Sequence, residues 1–523
     1  MRVYHGSILT VDEKDTVVQY LVEDSGRIVF TGNELPAKWS DAPRVELGDR
    51  ALCPSFADTH AHFASFATFN AGLNVMDAES NTDIADALHD FAASSTSSLL
   101  LAFGASSHSV RERRLVSREE LDRVCGRKPA VVIKYDGHAC IVNSALLAKL
   151  RKRLEHLRGY HPESGEMNQE AFFAVSDYIT NSISLPTLVR NMQHAMDLYA
   201  SRGFGLVHSV SGVGFALNLD ITLECLLANS AQNGFQLRIF PQSLNISTAT
   251  RRHLPRIGGC FECALDGCFG SKDAALLSPY IDEAGNGVLY YDDEKVLKFV
   301  ESANQAALQI EMHAIGDKAF DQAARCLKAA LEKHPRSDHR HGIIHACLPT
   351  DDGLDICAQY GIHLPVQPAF IDWNQEPDAY LADILGQERA AKLNPLRSMS
   401  DRGIRLSAGS DAPCTDPDPI IWLSKACNHT NPAESLTIQE ALRMCTYNGY
   451  WASFDEKNRG SLEAGKIADM VILSKSPYAT PANQLSEITV EQTFLSGEAY
   501  QPQNQNPARA LLAGMGSANH SSS

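Results

Sequence analysis

The chain predicts an α/β protein: a distorted (β/α)8 TIM barrel with a composite β-sandwich domain drawn from both termini and a large insertion after the first barrel strand. Three features predict it. Short apolar runs alternate with helical patterns through the middle of the chain, punctuated β-prone runs recur at both ends, and the alternation stalls for a long stretch after the first run.

At the N-terminal end, Val17–Val22 and Gly26–Gly32 are β-prone and bounded by Gly and Asp. Ala468–Leu473 and Val490–Gly497 repeat that pattern near the other end, so residues 1–50 and 458–501 are expected to pair into one composite domain. The expected barrel occupies 51–457. Its apolar runs are Leu206–Val210, Leu237–Phe240, Ile310–His313, Ile343–His345, Ile362–Val366 and Ile404–Ala408. Between two of them Val296, Phe299, Val300, Ala303 and Ala307 recur mostly at spacings of three and four, one face of a helix. Repeated β–α alternation implies a parallel sheet, and its count favours closure. Residues 63–202 form the expected insertion, with strands at Leu99–Phe103 and Ala130–Tyr135 and a helix over Leu185–Ala200. The Gln-, Asn- and Ser-rich stretch 502–523 is expected to be a mobile tail.

Composition narrows the function classes. The 523 residues are long enough for a deep core plus accessory elements, and 44% apolar with 21% charged content is ordinary for a globular protein. A formal charge of −17 with no basic run argues against nucleic acid as a partner. The N-terminus lacks a signal-peptide pattern and no run reaches the length of a membrane span, so a cytoplasmic location is expected. Thirteen scattered cysteines suit reduced, buried thiols. Cys260, Cys263 and Cys268 form a C-x2-C-x4-C cluster, but without a second ligand pair no separate zinc site is expected there.

Four stretches end apolar runs with metal-ligand side chains: Asp58-Thr59-His60-Ala61-His62, Glu311-Met312-His313, Ile344-His345 and Gly409-Ser410-Asp411. His60 and His62 are two apart on a strand-like run and share a face, which supplies two imidazoles to one cation. Taken singly, His313 or His345 reads as a core histidine and Asp411 as a helix cap. Their order along alternating β–α sequence points to a metal-dependent hydrolase, because parallel barrels collect catalytic groups at the C-terminal ends of their strands.

The stretch Leu52-Cys53-Pro54-Ser55-Phe56-Ala57-Asp58-Thr59-His60-Ala61-His62 resembles the amidohydrolase superfamily signature, with Ser55 and Ala57 replacing the usual glycine and isoleucine. Further pieces resemble its YtcJ-like branch, which includes N-substituted formamide deformylases. They are Asp136-Gly137-His138 with Asn143-Ser144, Leu265–Ser271, His313–Asp317, Arg340–Ala346, Gly409–Pro413 and Gly465–Asp469.

The resemblance implies that His60 and His62 hold one divalent cation and His313 and His345 a second. It implies that Asp411 ligates the first and handles the proton, with Asp411 and His345 as the catalytic pair. Zinc is the cation implied, as one or two ions. The lysine expected four residues before Asp266-Gly267 is replaced by Glu262, whose carboxylate is expected to bridge the cations. A one-metal site with Glu262 standing behind it, or a shifted alignment, are the alternatives. Asp136, His138, Trp373 and Arg397 are the candidate substrate contacts, with Phe370 beside Trp373; packing, or a surface ion pair for Arg397, is the competing use.

The implied reaction is hydrolysis of a non-peptide C–N bond (amide, formamide or cyclic amide) in a small molecule by water activated on the metal. A mononuclear deaminase, decarboxylase or isomerase on the same fold is the rival, and a non-catalytic binding protein a more distant one. A homodimer is the candidate assembly.

Overall fold

The computed structural model describes residues 1–95, 97–231, 234–281, 285–502 and 506–516. Eight strands follow one another as the staves of a TIM-barrel-like α/β fold: β1 (Phe56–Ala61), β2 (Phe204–Ser211), β3 (Gln236–Pro241), β4 (Arg256–Ala264), β5 (Gln309–Ala314), β6 (Gly342–His345), β7 (Leu364–Val366) and β8 (Leu406–Ala408). Parallel ladders join β1–β2–β3, β4–β5–β6 and β7–β8. Single parallel bridges, Gly342 to His363 and Ala61 to Ala412, link the sixth stave to the seventh and the eighth back to the first. β1, β2 and β5 are buried along their whole length. Burial on both faces is why these strands read as near-continuous apolar runs rather than alternating ones.

Helices cover the outside. Asp293–Gln305 and Asp317–Lys333 flank β5, and the former buries Val296, Phe299, Val300 and Ala303 on the face its periodicity marks out. Asp292 caps it by accepting from the Lys295 N–H.

The terminal strands form one seven-stranded sheet rather than a sandwich. Its order is Glu498–Ala499, Val490–Leu495, Met470–Leu473, Arg44–Pro54, Arg2–Leu9, Val17–Asp24, Arg27–Gly32. Arg2–Leu9 pairs in parallel with Arg44–Pro54, so the sheet is mixed. Arg44–Pro54 runs through Ser55 directly into β1, which ties the terminal sheet to the strand that carries His60.

The segment after β1 holds a six-stranded sheet, from Leu73–Asn74 to Glu166–Asn168, with its own apolar clusters on both faces. The expected mobile tail is ordered in part. Pro507–Gly516 is a helix packed on Leu219–Ser230, so closely that a Cβ on Gly514 would lie 2.1 Å from the Leu226 carbonyl oxygen. Residues 503–505 and 517–523 of that tail lie outside the described residues. No helix among the described residues is long and apolar enough to cross a membrane.

Candidate functional site

His60, His62, His313, His345 and Asp411 converge at the C-terminal ends of the strands. β1 presents His60 and, just past its end, His62; β5 presents His313; His345 ends β6; and Asp411 follows β8 by three residues. Asp411 Oδ1 lies 3.1 Å from His60 Nε2 and 3.3 Å from His62 Nε2. The His345 ring sits 5.3 Å from that of His60 and 4.5 Å from that of His313.

Backbone conformation contributes to the convergence. His345 and Asp411 occupy the left-handed region at φ 72° and 53°, which non-glycine residues rarely adopt and which clusters at functional sites. A Cβ at Gly409 would stand 2.8 Å from the backbone nitrogen of His60, so only glycine lets the end of β8 approach β1 this closely. Asp58 fastens the same junction. Its carboxylate accepts from the Ser410 N–H and hydroxyl, the His60 N–H and the Tyr199 hydroxyl, while burial raises it to about 6.

The electrostatics suit a cation. Burial pushes His345 well below the usual imidazole range, and His313 beside it adds to the shift. Burial lowers His62 as well. Burial alone would raise Asp411, but the adjacent His60 and His62 imidazoles outweigh it and hold the carboxyl well below its usual range. Neutral imidazoles beside an ionised carboxylate are the protonation states that ligation requires. Asp411 Oδ1 is buried and makes no hydrogen bond although two imidazole nitrogens lie within 3.3 Å. A buried carboxylate oxygen this close to two imidazole nitrogens fits a shared cation. Around His345, the ring Nδ1 donates to Gln367 Oε1 at 2.6 Å, which fixes the tautomer and leaves Nε2 with its lone pair.

Glu262 is not in this cluster. It is exposed, whereas Cys260, two residues earlier on β4, is buried with Sγ 3.4 Å from His60 Nε2. The reason is a bulge. Gly259 pairs with Met312 and Ala264 with His313, so four residues of β4 oppose a single step of β5. Phe261 lies inside it at φ 49°; the two-residue alternation breaks, and Glu262 turns to solvent. Cys260 had figured only in the cysteine cluster. A Gly-Gly pair directly before it, inside β4, was the available signal for close approach.

A pocket opens beside His62. Phe103, Phe172 and Phe173 from the inserted segment wall one side, and Phe261 and Val210 from the barrel-like body the other, with Asp136, Asp220 and Gln242 as polar lining. Asp136 is therefore close to the site, held by Lys134 Nζ at 2.6 Å and the Ser271 hydroxyl at 3.2 Å. His138 is half-buried and donates its backbone N–H to Asp136; its ring is not part of the pocket lining. Trp373 reaches the histidines at one remove, stacking at 4.6 Å on Phe370, which stacks at 5.9 Å on His345. Arg397 is elsewhere. Its guanidinium forks onto Glu440 at 2.6 and 2.8 Å and onto the Ser435 carbonyl, so it is a structural ion pair and not a substrate contact.

Comparison with known proteins agrees with the architecture. The chain is 24% identical over 530 residues to the Bacillus subtilis protein YtcJ, covering 95% of this chain and 98% of that one. It is 24% identical over 554 residues to an N-substituted formamide deformylase of Arthrobacter pascens, at 95% and 97% coverage. The crystal structure of an uncharacterized metal-dependent hydrolase from Pyrococcus horikoshii superposes with a TM-score of 0.73 at 21% identity, covering 96% of this chain and all of the other. The sequence profile of the Amidohydrolase family matches residues 45–500, and the chain belongs to that family.

Proposed function

We propose that this protein is a metal-dependent amidohydrolase that cleaves a non-peptide C–N bond, as in an amide, formamide or cyclic amide, of a small molecule. The observation that carries the reading is the convergence of four buried or nearly buried imidazoles and the Asp411 carboxylate at one end of the strands, beside a pocket lined by aromatic rings. The fold reading that goes with it is a closed, distorted (β/α)8 barrel over 51–457, a composite domain from 1–50 and 458–501, and an insertion at 63–202 that roofs the site.

His60, His62, His313, His345 and Asp411 would hold the cation or cations, and imidazole with carboxylate suits zinc. When bound, such a cation supplies Lewis-acid polarisation of the scissile carbonyl and acidifies water into the neutral range. Asp411, ionised at neutral pH, takes the proton of the attacking water and passes it to the departing nitrogen. Gln367 keeps His345 in the tautomer that presents Nε2. Phe173 and Phe261, whose rings meet edge to face at 6.2 Å, shield the pocket beside His62 and receive an apolar substituent of the substrate.

A panel of N-acyl, N-formyl and cyclic amides bearing aromatic or aliphatic groups, assayed for free amine and carboxylate with zinc added, tests the reading. Amine release from at least one class, abolished by a chelator, is expected. Ammonia or CO2 release without amide cleavage would replace it with deamination or decarboxylation.

A further inference from the structure

The arrangement of potential ligand atoms is not symmetric around the five residues named so far. His60 and His62 group with Cys260, and His313 and His345 group with the same Cys260, the ligand atoms in each triad lying within 4.8 Å of one another. Among the described residues His60, His345 and Asp411 form the remaining triad. Cys260 Sγ is the one atom shared by the two histidine pairs.

We propose that Cys260 is a metal ligand whose thiolate bridges two cations, one held by His60 and His62 and the other by His313 and His345. The proposal rests on the metal-dependent reading above. It gives Cys260 the role that the sequence assigned to Glu262, and does so with sulfur in place of a carboxylate.

The backbone is shaped to deliver this side chain. Gly258 and Gly259 have φ of 122° and 116°. A Cβ on the first would lie 1.9 Å from the Glu311 carbonyl oxygen, and a Cβ on the second 2.6 Å from a Val210 methyl. Only glycines let β4 press this far inward, and the Cys260 N–H then donates to Gln242 Oε1 at 3.1 Å, fixing the residue from which Sγ projects. Cys260 is 7% exposed, so solvent competes little for it.

A thiolate sulfur has lone pairs enough for two cations, and imidazole with thiolate is a donor set suited to zinc and cobalt. Binding exchanges a proton for the metal: Cys260–SH loses H+ to solvent and forms the S–metal bonds with no change of oxidation state. Cys263, buried three residues along the same bulge but in neither triad, serves as the internal control.

The test is reconstitution of the metal-free full-length protein with Co2+ alone, followed by absorption spectroscopy and elemental analysis. Wild type and Cys263→Ser are expected to bind two cobalt ions per chain and to show a near-ultraviolet thiolate-to-cobalt charge-transfer band beside the visible d–d bands. Cys260→Ser is expected to lose that band and at least one cobalt. Visible d–d bands without the charge-transfer band in wild type overturn the cysteine proposal and leave the metal reading standing. One cobalt per wild-type chain at saturation overturns the bridge. Failure to bind cobalt overturns both. The wild-type spectrum decides the matter even if Cys260→Ser does not fold.

Discussion

His345 donates its Nδ1 proton to Gln367 Oε1 at 2.6 Å, and this single contact determines which ring nitrogen faces the other histidines. Both residues are buried, so no water substitutes for the amide if it is removed. Gln367→Ala is expected to weaken metal binding by about 10- to 100-fold, the usual effect of losing such a supporting contact. Competitive chelator titration measures it; unchanged affinity would mean that the tautomer is fixed by other means.

Asp411 is the proposed proton carrier as well as a ligand. Asp411→Asn keeps the shape but removes the base, so kcat is expected to fall by about 10²- to 10⁴-fold. Elemental analysis of the same variant separates lost proton transfer from lost metal. A variant with near-normal kcat would remove Asp411 from the mechanism.

Pocket selectivity is expected to rest on the aromatic wall. Phe173 is 42% exposed and lines the cavity, its ring edge to face with Phe172 at 5.6 Å and with Phe261 at 6.2 Å. Phe173→Ala should raise KM for amides carrying large apolar groups by roughly 10-fold, since each buried aromatic contributes about 1.5–3 kcal/mol of transfer energy at most. The kcat for a small formamide should stay within about twofold. An equal loss for small and large substrates would place the substrate elsewhere.

Stability at alkaline pH has an identifiable source beneath the pocket. Glu224 is fully buried, accepts one hydrogen bond from the Ser211 hydroxyl at 2.7 Å, and burial raises it to about 8, with the nearby Asp220 carboxylate adding to the shift. A raised carboxyl means that the native state holds a proton the unfolded chain has already lost. Stability therefore falls as pH climbs from the ordinary carboxylate range toward 8. Glu224→Gln cannot ionise, so its melting temperature is expected to drop less than that of wild type between pH 6 and pH 9. The corresponding difference in unfolding free energy should be on the order of a few kcal/mol. Parallel thermal melts of the two proteins check it, and identical pH profiles would contradict it.

How far the fold could be read from sequence depended on local regularity. β1, β5 and β6 are buried runs whose ends coincide with the histidines, so both these strands and the candidate ligands were visible. β4 was not, because Gly258-Gly259 and Glu262 interrupt its apolar pattern and a four-residue bulge removes the alternation that assigns faces. The same bulge explains why Glu262 was favoured over Cys260: counting back from Asp266-Gly267 assumes a regular strand. Arg397 looked available because its partner Glu440 lies 43 residues away in the chain. The helix at Pro507–Gly516 was missed because its contact surface belongs to Leu219–Ser230, far off in sequence.

The most direct measurement is the metal content of the purified protein, set beside amide hydrolysis before and after chelation. At least one equivalent of a transition metal per chain is expected, with hydrolysis of an N-substituted or cyclic amide lost on chelation, restored by zinc, and absent from a His60→Ala/His62→Ala variant. Full hydrolysis by metal-free protein, or a wild-type chain that binds no divalent cation, would contradict the account.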